Sequence, residues 1–168
     1  MALKADRNEL GVDISFFMNE TAEKGQLVAY STAGSGAAMD QAGALATVAA
    51  ADGSVIPIGV LLNDVVDIDL TRQHINWHKD EVQKGGKVSI LKKGYVVTDQ
   101  IEGTPTAGAL AFMDDADTGK FAVAGSIADT KYTAVGRFMS VKDEDGYCKV
   151  EVNLPTPIQH TIAGAILK

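Results

Sequence analysis

One cysteine, Cys148, is all the chain contains, so no disulfide within it can brace a fold. Aromatic residues are scarce, at 6%, and a core has to be built from small and β-branched side chains instead. Positive charge is in deficit. Fifteen Lys and Arg against 22 Asp and Glu leave a net charge of -7, which argues against a partner held by phosphate contacts. No stretch approaches the roughly 18 consecutive apolar residues of a membrane helix. Residues 1–10 also lack the apolar core of an export signal. Synthesis in a cytoplasm, with neither nucleic acid nor membrane as partner, is the expectation.

What remains is ordinary for a folded protein. Hydrophobic residues make up 46% and charged ones 22% of 168, which excludes wholesale disorder. A chain of this length buries about 70% of its unfolded surface and suits one core. The dominant pattern is period-two alternation. In residues 82–103, Val88 and Ile90 flank Ser89, while Tyr95, Val96 and Val97 follow the break at Lys92, Lys93 and Gly94. That predicts a central hairpin with its reversal at the break. Residues 109–113 and 120–123 predict a second hairpin around the acidic turn 114–119. Residues 132–141 and 147–154 predict a third around Asp145 and Gly146. Further strands are expected at 24–31, 54–62 and up to 70, with Pro57 at an edge or bulge. Residues 39–51 carry a weak helical pattern interrupted by Gly43. The fold class is mainly β, a small β-barrel or β-sandwich with an N-terminal arm.

Three pieces occur twice in the same order. Residues 25–30 answer 108–113, 58–62 answer 135–139, and 86–91 answer 148–154 more loosely. A duplicated strand set is a natural way to close a barrel or sandwich, and Gly59 and Gly136 suit bulges within it. Residues 1–21 stand outside the repeat. Their apolar cluster of Ile14, Phe16, Phe17 and Met18 fits an arm that docks elsewhere, or an ordinary first edge strand. The division expected is arm 1–21, β domain 22–155 and tail 156–168. Within the domain, residues 71–81 form an inserted loop carrying Arg72, His74, Trp77 and His78. Trp and Arg are favoured interface anchors, so this loop reads as a contact surface, or else Trp77 caps the core.

Chemistry is hard to find. His74 and His78 stand four apart, but three histidines in the whole chain leave zinc short of ligands. Asp64, Asp67 and Asp69 are not followed by an EF-hand loop, and the 114–119 turn is too short for one. Gly34, Ser35 and Gly36 lack the spacing of a phosphate cradle. No nucleophile elbow occurs, and Cys148 lies on an alternating strand where a buried, inert thiol is the default. Neither metal, cofactor nor enzymatic activity is expected.

Residues 25–30, 58–61, 85–88, 93–98, 107–112, 118–121, 135–138 and 149–155, taken in order, resemble the head decoration (capsid cement) proteins of tailed bacteriophages. The clearest carriers are 70–97 and 135–155. The resemblance implies a tulip-like or jelly-roll-like β protein that binds the capsid exterior in many copies and stabilises it. Its partners would be the major capsid protein and itself, as trimers ahead of dimers, in a virion assembled in the host cytoplasm. The interface residues expected on that basis are Phe16, Phe17, Met18, Arg72, His74, Trp77 and His78. The alternative is a glycan- or receptor-binding β module of the virion surface.

Overall fold

Unbroken apolar runs, such as residues 27–29 and 60–62, suit strands covered on both faces. Alternation, as around Glu151 between Val150 and Val152, suits strands with one wet face. Both kinds occur in the computed structural model of the chain, which describes residues 3–4, 6–31, 44–52, 55–64, 68–69, 74–75, 81–127, 131–154 and 158–161. Among these there is no α-helix, only a 3-10 turn at Ala124–Ser126. The strands are β1 (Asn8–Met18), β2 (Ala22–Glu23), β3 (Leu27–Tyr30), β4 (Ala44–Val48), β5 (Pro57–Asp64), β6 (Ile68–Asp69), β7 (His74–Ile75) and β8 (Glu81–Val82). They continue as β9 (Lys87–Thr98), β10 (Ile101–Glu102), β11 (Leu110–Met113), β12 (Phe121–Ala122), β13 (Lys131–Phe138), β14 (Cys148–Asn153) and β15 (Ile158–Thr161).

The strands close two rings that share β9. In the first, β1 pairs β4, β4 pairs β3, β3 pairs β5, β5 pairs β9, and β9 returns to β1. In the second, β9 pairs β14, and the order continues through β13, β11 and β12 to β10. Strand β10 follows β9 directly after a turn at Asp99 and Gln100, so this ring closes too. The mainly β, barrel-like expectation therefore holds, with two small barrels rather than one.

The two barrels repeat each other in register. Leu27 lies opposite Val60 and Val28 opposite Gly59; likewise Leu110 lies opposite Arg137 and Ala111 opposite Gly136. Both ladders then slip at the next residue, setting Ala29 against Pro57 and Phe112 against Ala134. The glycines share one task. A Cβ on Gly59 would sit 2.5 Å from the Leu91 carbonyl oxygen, and one on Gly136 would sit 1.8 Å from that of Glu151. The third piece repeats two residues away from the sequence alignment. Leu61 pairs Ile90 as Phe138 pairs Val150, so Ile90, not Val88, answers Val150. A slip of two keeps every side chain on its face, and pattern matching is blind to it.

Each barrel encloses its own side chains. Phe16, Met18, Val28, Ala46, Ile58, Leu61, Val88 and Ile90 fill the first, with Ala22 and Val82 of the β2–β8 ribbon packed against them. Ile101, Ala111, Phe121, Val135, Phe138, Cys148 and Val150 fill the second. The second core is continuous with Leu27, Ala29, Val60, Leu62 and Leu91, which face outward from the first barrel. The outward side chains of β3 and β5 thus share one buried cluster with the second barrel, which makes both strands apolar on both faces.

Three expectations are corrected. The central hairpin is a single strand of 12 residues, and Lys92, Lys93 and Gly94 lie in its middle. There β9 passes from the first barrel to the second. Gly94 has φ 142°, and a Cβ on it would fall 1.9 Å from the Asn8 carbonyl oxygen, so the glycine serves strand approach and not reversal. The helical pattern at 39–51 gives strand β4 in its described part. The described part of residues 1–21 is no free arm. Leu3 bridges Thr98, β1 runs along β9, and Phe16 and Met18 are buried inside the first barrel. Their partner strand lies some seventy residues further along the chain, out of reach of local pattern.

Candidate contact surfaces

Candidate nucleophiles and ligands are otherwise engaged. The Cys148 thiol is buried, burial pushes its pKa up, and it donates to the Ser140 carbonyl at 3.1 Å. A thiol so held is a poor nucleophile at neutral pH. In the 114–119 turn, Asp114 turns its carboxylate onto the N–H groups of Ala116 and Asp117, at 3.3 and 3.1 Å. Burial raises its pKa despite those bonds. Its geometry is that of a self-capped turn. Among the described residues, no three His, Cys, Asp or Glu stand together as metal ligands.

Three surfaces stand out instead. The first is the outward face of β1, where Leu10, Val12 and Ile14 alternate at 67%, 39% and 53% exposure. Between them Asp13 accepts from Lys92 Nζ at 2.7 Å and from the hydroxyl and N–H of Ser15. Partial burial pushes the Asp13 carboxyl up, but the Lys92 and Ser15 hydrogen bonds outweigh it and hold the pKa at about 2. Because the folded value lies below the ordinary 3.8, the pair stabilises the fold above about pH 4 and loses that effect as pH falls toward 2. Solvent screening reduces the effect to about 1 kcal/mol. Urea unfolding of the wild type at pH 5 and pH 2 is expected to show this step, and Asp13→Asn to shrink it.

The second surface is the outer wall of the second barrel. The positions equivalent to Leu27, Val60, Leu62 and Leu91 are Leu110, Arg137, Met139 and Glu151, all exposed. Two charges have replaced two buried aliphatics, as a wall that ends in water requires, yet Leu110, Met139 and nearby Val141 remain apolar. The third is an open cleft of about 800 Å³ beside the first barrel. Glu20, Glu23, Glu81 and Asp117 line it, with Tyr30 exposed at its wall and Lys120 held by Asp117 at 2.7 Å.

The residues expected at the interface divide sharply. Phe16 and Met18 face inward, and Phe17 is half-buried opposite Lys87. His74 lies in β7, opposite Asp69 of β6. Arg72, Trp77 and His78 lie outside the described residues. Leu10 and Val12 went unnamed at the sequence level, although their alternation with Gly11 and Asp13, continued by Ile14, is the period-two signal of a strand with one apolar face.

The two fused β-barrels thus present apolar and acidic surfaces to their surroundings. Residues 5–152 match the XM1 gp53 minor capsid protein family, and the chain belongs to that family. It is a structural protein of a phage capsid. No curated protein matches the chain.

Proposed function

We propose that this protein binds the outer surface of a phage capsid in many copies and stabilises the shell as a decoration or cement protein, without turnover of any substrate. The observation that carries this reading is membership of a minor capsid protein family across residues 5–152. Physical support comes from the fused core, which gives a stiff body, and from the net charge of -7, which keeps it off the packaged nucleic acid. Its partners are the major capsid protein and further copies of itself. The 71–81 segment, with Arg72, His74, Trp77 and His78, supplies capsid contacts, joined by the half-exposed Phe17. Phe16 and Met18 act from behind, by holding β1 in the first barrel.

The test mixes purified protein with expanded, undecorated capsids and images them. Added density on the exterior, together with a higher capsid melting temperature, is the expected result. Capsids that gain no density, or gain it inside, would overturn the proposal. Trp77→Ala is expected to weaken binding by about tenfold or more, as loss of a large aromatic anchor does. Occupancy against protein concentration measures it, with the unfolding temperature as a check on the fold.

A further inference from the structure

Four strands, in the order β11, β13, β14 and β9, give the second barrel a continuous outer face. One row of outward side chains crosses it. Leu110 stands opposite Arg137, Arg137 opposite Glu151, and Glu151 opposite Tyr95. The next row sets Met139 beside Lys149. The β13–β14 and β14–β9 ladders run through these residues without a slip. In the first barrel the equivalent row, Leu27, Val60 and Leu91, is wholly buried in the cluster shared with the second. Here Leu110 and Met139 are 54% and 45% exposed, and Arg137 and Glu151 are exposed beside them. The two charges are of opposite sign. Among the described residues no ion pair takes up either one.

We propose that this face binds the same face of a second copy, the two sheets packed about a two-fold axis that runs along the strands between β13 and β14. Such an axis keeps each row level with itself and exchanges the strands on either side. Arg137 of each copy then meets Glu151 of the other, and Leu110 of each meets Tyr95 of the other. Met139 covers the aliphatic stem of Lys149, whose ammonium is already held by Asp6 at 3.3 Å and by the Tyr95 ring. Charge fixes the axis. On β13 it would set Arg137 against Arg137, on β14 it would set Glu151 against Glu151, and between β11 and β13 it would bury Arg137 under Leu110. Like charges face to face suppress association, and only the proposed axis pairs every member of the row. A face that is its own complement in charge and apolar groups selects a second copy over an unrelated surface. Aligned sheets pack face to face about 10 Å apart, a gap that side chains of this size fill. The face is four strands wide, about 15–20 Å, which is the small end of stable interfaces and implies micromolar association. The unit formed in solution is then a dimer, not the trimer that the resemblance to decoration proteins implies.

The experiment uses the full chain without capsids, so its outcome is separate from the capsid-binding proposal. Light scattering or sedimentation at hundreds of micromolar protein is expected to give twice the monomer mass of 17.6 kDa. Arg137→Glu brings like charges together at both symmetry-related contacts and is expected to raise the dissociation constant by roughly tenfold or more. Glu151→Arg should do the same. The double exchange, Arg137→Glu with Glu151→Arg, restores opposite charges and is expected to return the constant close to the wild-type value. Leu110→Asp should also weaken association, while Leu10→Asp, at an exposed apolar site on the first barrel, should not. All four positions are exposed, so unfolding temperatures should stay within a few degrees of wild type. A wild type that stays monomeric overturns the proposal. So does a charge reversal that leaves association unchanged, a double exchange that fails to restore it, or a dimer that Leu10→Asp breaks and Leu110→Asp spares.

Discussion

Deleting residues 1–18 is expected to abolish cooperative unfolding of the first barrel and to leave a protein that aggregates. The deletion removes Phe16 and Met18 from a closed core, each contributing about 1.5–3 kcal/mol by burial. It also strips β9 of its partner over residues 87–95 and β4 of its parallel neighbour, exposing two edges at once. Against a total stability of about 5–15 kcal/mol, losses of this size decide whether the barrel exists. Calorimetry or urea unfolding of the truncated chain provides the measurement. An arm that served only to grip a neighbouring surface would give the opposite result, with the melting temperature kept and only binding lost.

Gly136→Ala is expected to be strongly destabilising. Its Cβ would lie 1.8 Å from the Glu151 carbonyl oxygen and 3.1 Å from the Val152 Cα, both backbone atoms of the adjoining strand. No side chain can rotate away to relieve that, so β13 and β14 would have to separate where they pair. Overpacking against backbone costs about 3 kcal/mol or more. In a protein of this size that lowers the melting temperature by about 10 °C. Gly59→Ala should follow in the same direction but less steeply, because its nearest backbone atom, the Leu91 carbonyl oxygen, lies at 2.5 Å and not at 1.8 Å. Gly125, which has nothing within 4 Å of a built Cβ, serves as the control and should tolerate alanine. A melting temperature for Gly136→Ala within a degree or two of wild type would remove the close approach from this account.

Much of the fold was legible because it rests on local pattern. The hairpins around 114–119 and around Asp145 and Gly146 declared themselves through alternation and turn residues, and the duplication through its paired glycines. What escaped was long-range. Lys92, Lys93 and Gly94 resemble a reversal because a basic, glycine-bearing break in an apolar strand is usually exposed. Here Lys92 is satisfied by Asp13, and the glycine makes room for the Asn8 carbonyl, both from a strand whose sequence lies far upstream. The aromatic pair at Phe16 and Phe17 invited an external partner for the same reason. The candidate surfaces were less legible still. Exposure of Leu10 or Met139 depends on which neighbours the topology supplies, and a hydrophobic residue on a strand carries no mark of whether its face will be covered.

The joint ownership of β9 bears on how this molecule can come apart. Tandem copies usually meet at a linker, where a protease can nick, a hinge can bend, or recombination can trade one half for another. Here the seam is a hydrogen-bonded strand in the middle of the body, and a cut there would leave both halves with an open sheet. A shell component built this way offers a swelling or pressurised capsid no internal joint to yield at. Strain reaching one half is handed through continuous backbone to the other, and the pair hold or fail together.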